Sequence, residues 1–251
     1  MGKIISNKVF YDELAGDYDD MISFNKAIEK KKNILKNFID PNTRNIADIG
    51  CGTGLDSIIF SKLNMNVDAF DPSGEMLNIA KINSKKMNSS IEIYNYQTDK
   101  IPDEFNNKFD LVVSLGNTFS NIPDDLLPNS LKRCYEILKT EGRLLLQVLN
   151  YKKIIENRER IINVNENEDK IFIRFYDFYE EQIVFNILTL NKKNLSERKL
   201  CSTKIYPYFV NNFESGLTRA GFSQIRFYGD LSLSEYLESQ SANLVILSEK
   251  R

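Results

Sequence analysis

The stretch that decides the fold is "IADIGCGTGLDSIIF", Ile46 to Phe60. It begins with a short apolar run, passes through glycines at positions 50, 52 and 54, and continues into an amphipathic segment. Glycine permits positive φ and lets a ligand approach the backbone closely. A helix that starts after such a loop offers unpaired N–H groups and the positive end of its dipole. The stretch therefore predicts a strand, a ligand-binding loop and a helix.

The segments that follow repeat this alternation of strand and helix. Apolar runs at "NVDAFD", "IEIYNY", "FDLVVSLG" and "EGRLLLQVLN" are separated by segments with helical spacing, among them "PSGEMLNIAKINSKK" and "LLPNSLKRCYEIL". Strands that alternate with helices of this length favour a parallel sheet with right-handed crossovers. We therefore predict an α/β fold for this part of the chain.

The pattern changes after Asn150. The runs "DKIFIRFYDFYEEQIVFNILTL" and "ERKLCSTKIYPYF" alternate apolar and polar residues, which is typical of antiparallel strands. A helix at "VNNFESGLTRAGF", capped by Gly221, and two final strands follow. The predicted organisation is a helical N-terminal lid (1–40), a cofactor-binding core (41–150), an antiparallel β insertion that contacts substrate or forms a lid (151–208), and a return to the core (209–251).

Composition excludes several classes of chemistry. The chain has 251 residues, a net charge of −2 and no histidine. It therefore has no Ser-His-Asp triad, no Cys-His pair and no imidazole metal site, and we predict no metal. Nucleic acid is not an expected partner, and the run Lys30-Lys31-Lys32 is interpreted as a solvated helix face. Three widely separated cysteines and no apolar segment of membrane-spanning length predict a cytoplasmic protein without a membrane partner.

Acidic residues on both sides of the glycine loop restrict its ligand. Asp71 ends the next strand, where its carboxylate can accept two hydrogen bonds from a ribose diol. Asp48 precedes the loop, where it repels a pyrophosphate but suits a ligand with an amino group and a sulfonium. The glycine spacing also differs from G-x-G-x-x-G, and no Gly-Lys-Ser/Thr of a P-loop follows. S-adenosylmethionine is therefore favoured over NAD, and an NAD-dependent oxidoreductase stays a distant alternative.

These motifs resemble those of the class I S-adenosylmethionine-dependent methyltransferases. The similar segments are "ADIGCGTG", "DAFDPSGEMLNIA", "FDLVVSLGNTFSNIPD" and "LKTEGRLLLQVLN", within residues 7–150. The pieces "CGTGLDSI", "LGNTFSNIPD", "LNY" and "IYPYF" resemble the glycine N-methyltransferase-like small-molecule branch most. The resemblance implies a Rossmann-like, seven-stranded, mostly parallel sheet of order 3-2-1-4-5-7-6, with helices on both faces and a small antiparallel β insertion after strand 5.

The resemblance also implies a cofactor site for S-adenosylmethionine, with S-adenosylhomocysteine as product. In it, Asp48 would contact the methionine moiety, Asp71 would hold the ribose hydroxyls, and Lys26 would pair with the cofactor's carboxylate. The implied cofactor-binding residues are Tyr11, Tyr18, Lys26, Asp48, Gly50, Cys51, Gly52, Asp71, Pro72, Met76, Gln97, Thr98, Leu115 and Gly116.

Substrate residues are expected at the carboxyl ends of the fourth and fifth strands and at the exit from the insertion. Glycine is not the expected substrate, because Leu149 and Asn121 replace an arginine and a histidine of the glycine-specific enzymes. Arg174, Tyr176 and Tyr179 face either the pocket or solvent, since alternation alone does not decide. The predicted substrate residues are Asn117, Gln147, Asn150, Tyr206 and Tyr208.

The predicted function is methyl transfer from S-adenosylmethionine to a small-molecule N or O acceptor by in-line displacement. The protein would align donor and acceptor and exclude water, and no catalytic residue is assigned. The alternatives are an RNA or protein methyltransferase and a non-catalytic S-adenosylmethionine-binding protein. We expect a monomer or a homodimer.

Overall fold

The computed structural model describes residues 3–251. Residues 1 and 2 of the predicted N-terminal lid lie outside this part. In chain order the helices and strands are β1 (Ile4–Ile5), α1 (Asn7–Ile22), α2 (Phe24–Lys36), β2 (Asn45–Ile49), α3 (Leu55–Lys62), β3 (Asn66–Phe70), α4 (Gly74–Lys86), β4 (Glu92–Tyr94), β5 (Phe109–Ser114), α5 (Leu127–Ile137), β6 (Leu138–Leu149), α6 (Tyr151–Glu156), β7 (Ile161–Glu166), β8 (Lys170–Phe178), β9 (Ile183–Asn191), β10 (Arg198–Ile205), α7 (Val210–Ala220), β11 (Phe222–Tyr228) and β12 (Asn243–Lys250).

The larger sheet has the order β4-β3-β2-β5-β6-β12-β11. Strands β2 to β6 pair in parallel, and β12 is antiparallel to both β6 and β11. When the strands of this sheet alone are numbered along the chain, the order is 3-2-1-4-5-7-6, which confirms the prediction. The carboxyl ends of β2, β3 and β5 meet at one edge, where ligands bind in open α/β sheets.

Both faces of this sheet are buried. Leu111 and Val113 of β5 pack on the side of α2 and α3, whereas Val112 packs with α5 and α7 on the other side. On β6, Leu145 packs on the side of α2 and α3, and its neighbour Leu144 packs on the side of α5 and α7. Burial of both faces explains why these strands read as continuous apolar runs in the sequence.

The smaller sheet has the order β1-β10-β9-β8-β7. Its strands β7 to β10 are antiparallel neighbours, as the alternating pattern predicted. Strand β1 joins it in parallel with β10, so the first described residues of the chain complete the inserted layer. The sequence pattern did not indicate β1, which has two residues, or β7, whose Ile161 and Val164 are exposed.

The predicted helical N-terminal lid contains two helices. Ser23 separates α1 from α2 with a left-handed φ of 53°. Phe10 and Leu14 of α1 pack with Met76 of α4 and with Phe172 of β8. Helix α1 thus lies between the larger sheet's helices and the inserted sheet, over the ligand-binding edge. The predicted domain boundaries at residues 40, 150 and 208 stay a prediction.

Candidate functional site

The glycine loop forms one wall of a cavity at the carboxyl edge of the larger sheet. Gly50 and Gly52 both have positive φ, 71° and 55°. A Cβ on Gly50 would lie 2.1 Å from Cγ2 of Thr118, so this glycine permits close packing of two loops. A Cβ on Gly52 would meet nothing nearer than the Tyr18 ring, at 3.9 Å. The open side of Gly52 therefore faces the space that a ligand would occupy.

Asp71 lies opposite this loop, directly after β3. Its Oδ2 accepts a hydrogen bond from the backbone N–H of Gly52 at 2.9 Å, and its Oδ1 accepts one from that of Ser73 at 2.8 Å. Burial raises the pKa of Asp71 to about 6, and these two N–H groups act in the opposite direction. Each carboxylate oxygen can accept a second hydrogen bond, so the fixed carboxylate offers acceptors to a vicinal diol.

The cavity has a volume of about 370 Å³. The predicted cofactor residues that line it are Tyr11, Tyr18, Gly50, Cys51, Gly52, Asp71, Pro72, Met76, Gln97, Thr98, Leu115 and Gly116. Two of the predicted residues, Asp48 and Lys26, are not among its lining residues.

Asp48 lies below the loop and not on the wall. It is buried, accepts a hydrogen bond from the hydroxyl of Ser57, and has its pKa raised to about 7 by burial and by the charge of Asp56. Asp48 is not among the residues that line the cavity, and its predicted contact with the methionine moiety stays a prediction.

Lys26 does not line the cavity either. It borders a separate surface depression with Asp19, Asp20 and Glu166. The lysine of α2 that lines the cavity is Lys31, which pairs with Asp56 at 2.8 Å. The interpretation of the whole lysine run as a solvated face is thus wrong for Lys31, because one of three consecutive helical side chains points to the cavity.

None of the five predicted substrate residues lines the cavity. Asn117 donates to the Tyr151 hydroxyl at 2.7 Å, and its Oδ1 accepts from the backbone N–H of Leu149 at 2.9 Å. Gln147 accepts from the N–H of Gly116 at 2.9 Å and donates to Asn243 at 2.8 Å. Both amides hold the strand ends in place and leave little capacity for a ligand.

The other three are also bound to protein groups. Asn150 donates to the carbonyls of Glu238 and Ser241 at 2.8 and 2.9 Å, and Tyr208 donates to the carbonyl of Ile122 at 2.8 Å. The ring of Tyr206 lies 4.8 Å from the ammonium of Lys204. Asn150 and Tyr208 therefore satisfy backbone carbonyls near the site, since buried polar groups need hydrogen-bond partners.

Several lining residues were not predicted as site residues. They share polar groups that face the cavity: Lys31, Thr53, Asp56, Asp99, Thr118, Asn121 and Arg174. The hydroxyl of Thr53 and Oδ1 of Asn121 are buried without a hydrogen-bond partner in the described part of the chain, and a buried oxygen of Asp99 lies 3.1 Å from the ammonium of Lys100. Asp99 directly follows Thr98. Its position after the third parallel strand is the one sequence signal that could have identified it as a site residue.

The donors and acceptors present fit S-adenosylmethionine. Asp71 presents acceptors for ribose hydroxyls, and the carboxylate of Asp99 can accept from an adenine amino group. The paired Lys31 and Asp56 offer one cation and one anion to a zwitterionic amino-acid end. A pyrophosphate would meet Asp56 in the first turn of α3, so a dinucleotide fits poorly. Fold and site together define a Rossmann-like protein with an adenosine site that is suited to a ligand without phosphate.

Comparisons with known proteins agree with this description. Residues 46–142 match the family model described as a methyltransferase domain. A chain of Geobacillus sp. (strain WCH70), named as a methyltransferase, is 25% identical over 89% of this chain and 90% of its own length. Glycine N-methyltransferase of Oryctolagus cuniculus is 32% identical over 45% of this chain, which spans 43% of that enzyme.

Solved structures share the whole fold. An S-adenosylmethionine-dependent methyltransferase from Clostridium acetobutylicum has a TM-score of 0.77 at 17% identity, and covers 96% of this chain and 98% of its own. The CcbJ methyltransferase from Streptomyces caelestis has a TM-score of 0.81 at 14% identity, with coverages of 98% and 99%. The matching domain, the relatives and the shared fold together support a class I S-adenosylmethionine-dependent methyltransferase. In residues 3–251, no helix combines the length and apolar character that a membrane crossing requires.

Proposed function

We propose that this chain transfers a methyl group from S-adenosylmethionine to a nitrogen or oxygen of a small-molecule acceptor. The observation that carries the proposal is the position of α1 over the cavity. Tyr11 and Tyr18 of this helix line the cavity, and Phe10 anchors the helix beneath the inserted sheet. A site covered in this way suits a small acceptor, whereas a macromolecule needs an open groove.

The cofactor would supply a methyl group on a sulfonium, which is a good leaving group for in-line displacement. The chain's own residues would bind and orient: Asp71 at the ribose, Gly52 at the loop, and Tyr11 and Tyr18 as the groups that exclude water. Exclusion of water and alignment contribute most to such a reaction. Because the sequence has no histidine, the proposal assigns no imidazole base.

The acceptor class is tested with methyl-labelled S-adenosylmethionine. The protein is incubated with a metabolite extract, with total RNA and with denatured cell protein in separate reactions. We expect label in a small-molecule product separated from S-adenosylmethionine, and much less of it with the Asp71→Asn variant at a subsaturating cofactor concentration. Label in RNA or protein alone would support the macromolecular alternative instead. Tight cofactor binding without turnover on any acceptor would support the non-catalytic alternative.

Three further features stay part of the proposal. The division into lid, core, insertion and return segments predicts that the insertion at 151–208 contacts the acceptor. A cytoplasmic location is carried over from the composition, and a monomeric or homodimeric state stays an expectation. Sedimentation of the purified chain and fractionation of cells that express it would test these last two points.

A further inference from the structure

Resting on the proposed function, we propose that the acceptor carries an oxyanionic group, a carboxylate or a phosphate, which Arg174 of the inserted sheet binds. In the same pocket, Oδ1 of Asn121 accepts a hydrogen bond from the N–H or O–H of the acceptor. The acceptor is thus an anionic amine or alcohol of small size.

Arg174 is the residue that would bind the oxyanionic group. It lies on β8, lines the cavity, and is largely removed from water. Its Nε donates to Oδ1 of Asn163 at 2.6 Å, which fixes the guanidinium plane. A guanidinium has five N–H donors, so four remain after this bond. Within the described residues they have no hydrogen-bond partner, and a planar fork of free donors matches an oxyanion.

The two lysines that line the cavity are both paired with carboxylates. Lys8 pairs with Asp12 at 2.8 Å, and Lys31 pairs with Asp56 at 2.8 Å. Arg174 forms no salt bridge with any carboxylate in residues 3–251, and burial lowers its pKa. The titratable groups near its guanidinium are the hydroxyls of Tyr11, Tyr18 and Tyr176, which are neutral near pH 7. A buried cation without an anion is costly, so a bound anion would stabilise the site.

Asn121 has a buried amide oxygen without a hydrogen-bond partner in residues 3–251. Its Nδ2 donates to the Tyr11 hydroxyl at 3.1 Å and faces the carbonyl of Asn117 at 3.5 Å. That carbonyl can only accept, which places the amide nitrogen on its side. The amide oxygen is buried and has no donor within residues 3–251, and the residue lines the cavity. This oxygen is the unpaired acceptor that the proposal assigns to the N–H or O–H of the ligand.

The two groups belong to one corner of the cavity. Tyr11 contacts Asn121 through its hydroxyl, and its ring lies 6.3 Å from the ring of Tyr18. Tyr18 is close enough to Arg174 for the guanidinium charge to lower its pKa against the larger effect of burial. Asn121 and Arg174 line the same cavity beneath α1, and the proposal assigns one small molecule to both.

The first test measures anion binding directly. The protein saturated with S-adenosylhomocysteine is titrated with acetate and with inorganic phosphate, against chloride at equal ionic strength, and the thermal unfolding midpoint is followed. We expect either oxyanion to raise the midpoint, and Arg174→Gln to weaken this response about ten-fold or more. Arg174→Lys should keep part of it. Arg198→Gln, at an exposed arginine of β10 in the same sheet, is the matched control and should respond like the wild type.

An equal response of Arg174→Gln and wild type, or none in the wild type, would contradict the proposal. Unchanged affinity of Arg174→Gln for S-adenosylhomocysteine shows that the variant is folded. The second test uses the labelled product from the metabolite extract. Mass spectrometry should find a carboxylate or phosphate group in it, and Arg174→Gln should raise the KM of the acceptor about ten-fold or more with a smaller effect on kcat. A product without either group would overturn the inference while leaving the methyltransferase proposal intact, whereas absence of transfer would refute that proposal and leave the anion titration to decide for Arg174.

Discussion

The Oδ2 atom of Asp71 lies 2.9 Å from the backbone nitrogen of Gly52, which donates a hydrogen bond to it. This contact joins the end of β3 to the glycine loop that follows β2. Because Ser73 holds the other oxygen at 2.8 Å, the carboxylate has one orientation before any ligand arrives. The ribose site is therefore preorganised by the backbone, and most of the cofactor affinity should depend on this one side chain.

Replacing Asp71 with asparagine should weaken S-adenosylhomocysteine binding about 10- to 100-fold, because hydrogen bonds to a charged acceptor are worth about 1.5–3 kcal/mol each. Titration calorimetry measures the change. Asp125→Asn removes an exposed carboxylate of the same type and should have no effect. Equal affinities of Asp71→Asn and wild type would show that the ligand does not use this carboxylate.

The same carboxylate predicts the pH dependence of binding. The pKa of Asp71 is raised from 3.8 to about 6, so the side chain becomes protonated as the pH falls through 6. A protonated carboxyl offers fewer acceptors, and the affinity should fall by up to about ten-fold per pH unit below that value. Calorimetry between pH 5 and 8 measures this, with Asp71→Asn as a reference that lacks the dependence. A flat wild-type profile would argue against the account.

The two loop glycines should fail in different ways. Gly50→Ala places its Cβ 2.1 Å from Cγ2 of Thr118 and also requires positive φ, so we expect a loss of about 2–4 kcal/mol in the free energy of unfolding. Gly52→Ala has room at the protein side and should lose less stability, about 1–2 kcal/mol. It should lose more cofactor affinity, because its methyl group points to the ligand space. Urea unfolding and calorimetry on both variants separate the two effects, and identical behaviour would contradict the placement of the loop.

Asp48→Asn should stabilise the protein at neutral and alkaline pH. Burial raises the pKa of Asp48 from 3.8 to about 7, so the folded state binds this proton more tightly than the unfolded state. The free energy of unfolding therefore falls as the pH rises from about 4 through 7, and asparagine removes this loss. We expect an unfolding midpoint a few degrees higher at pH 8, since about 1 kcal/mol moves it by 2–4 °C in a chain of this size. A lower midpoint for Asp48→Asn than for wild type at pH 8 would show that the ionised form is not penalised.

The fold was predictable because its signals are local. The apolar runs, the glycine loop and the acid at 71 each lie within one strand–loop–helix unit, and the rule for parallel sheets then orders them. The inserted layer was visible as alternation. Strand β1 was not, because two residues have no periodicity and pair only with the distant β10.

The site was predictable only where the backbone itself forms it. Positions next to strand ends, such as Gly52, Asp71 and Thr98, follow from topology. Arg174 depends on which way an inserted strand faces, and Lys31 depends on the exact rotation of α2, neither of which a sequence pattern fixes. Asn117 shows the opposite error, since its amide suits a ligand chemically but is used by Tyr151 and Leu149.

Methyl transfer to a small molecule is the central claim, and one measurement tests it most directly. The full chain is incubated with methyl-labelled S-adenosylmethionine and a protein-free metabolite extract, and the formation of S-adenosylhomocysteine is compared with label in the small-molecule fraction. The account predicts equal amounts of S-adenosylhomocysteine and of labelled product separated from the cofactor, and much less of both with Asp71→Asn at a subsaturating S-adenosylmethionine concentration. Tight binding of S-adenosylmethionine with no S-adenosylhomocysteine formed, or label that enters only added RNA or protein, would contradict it.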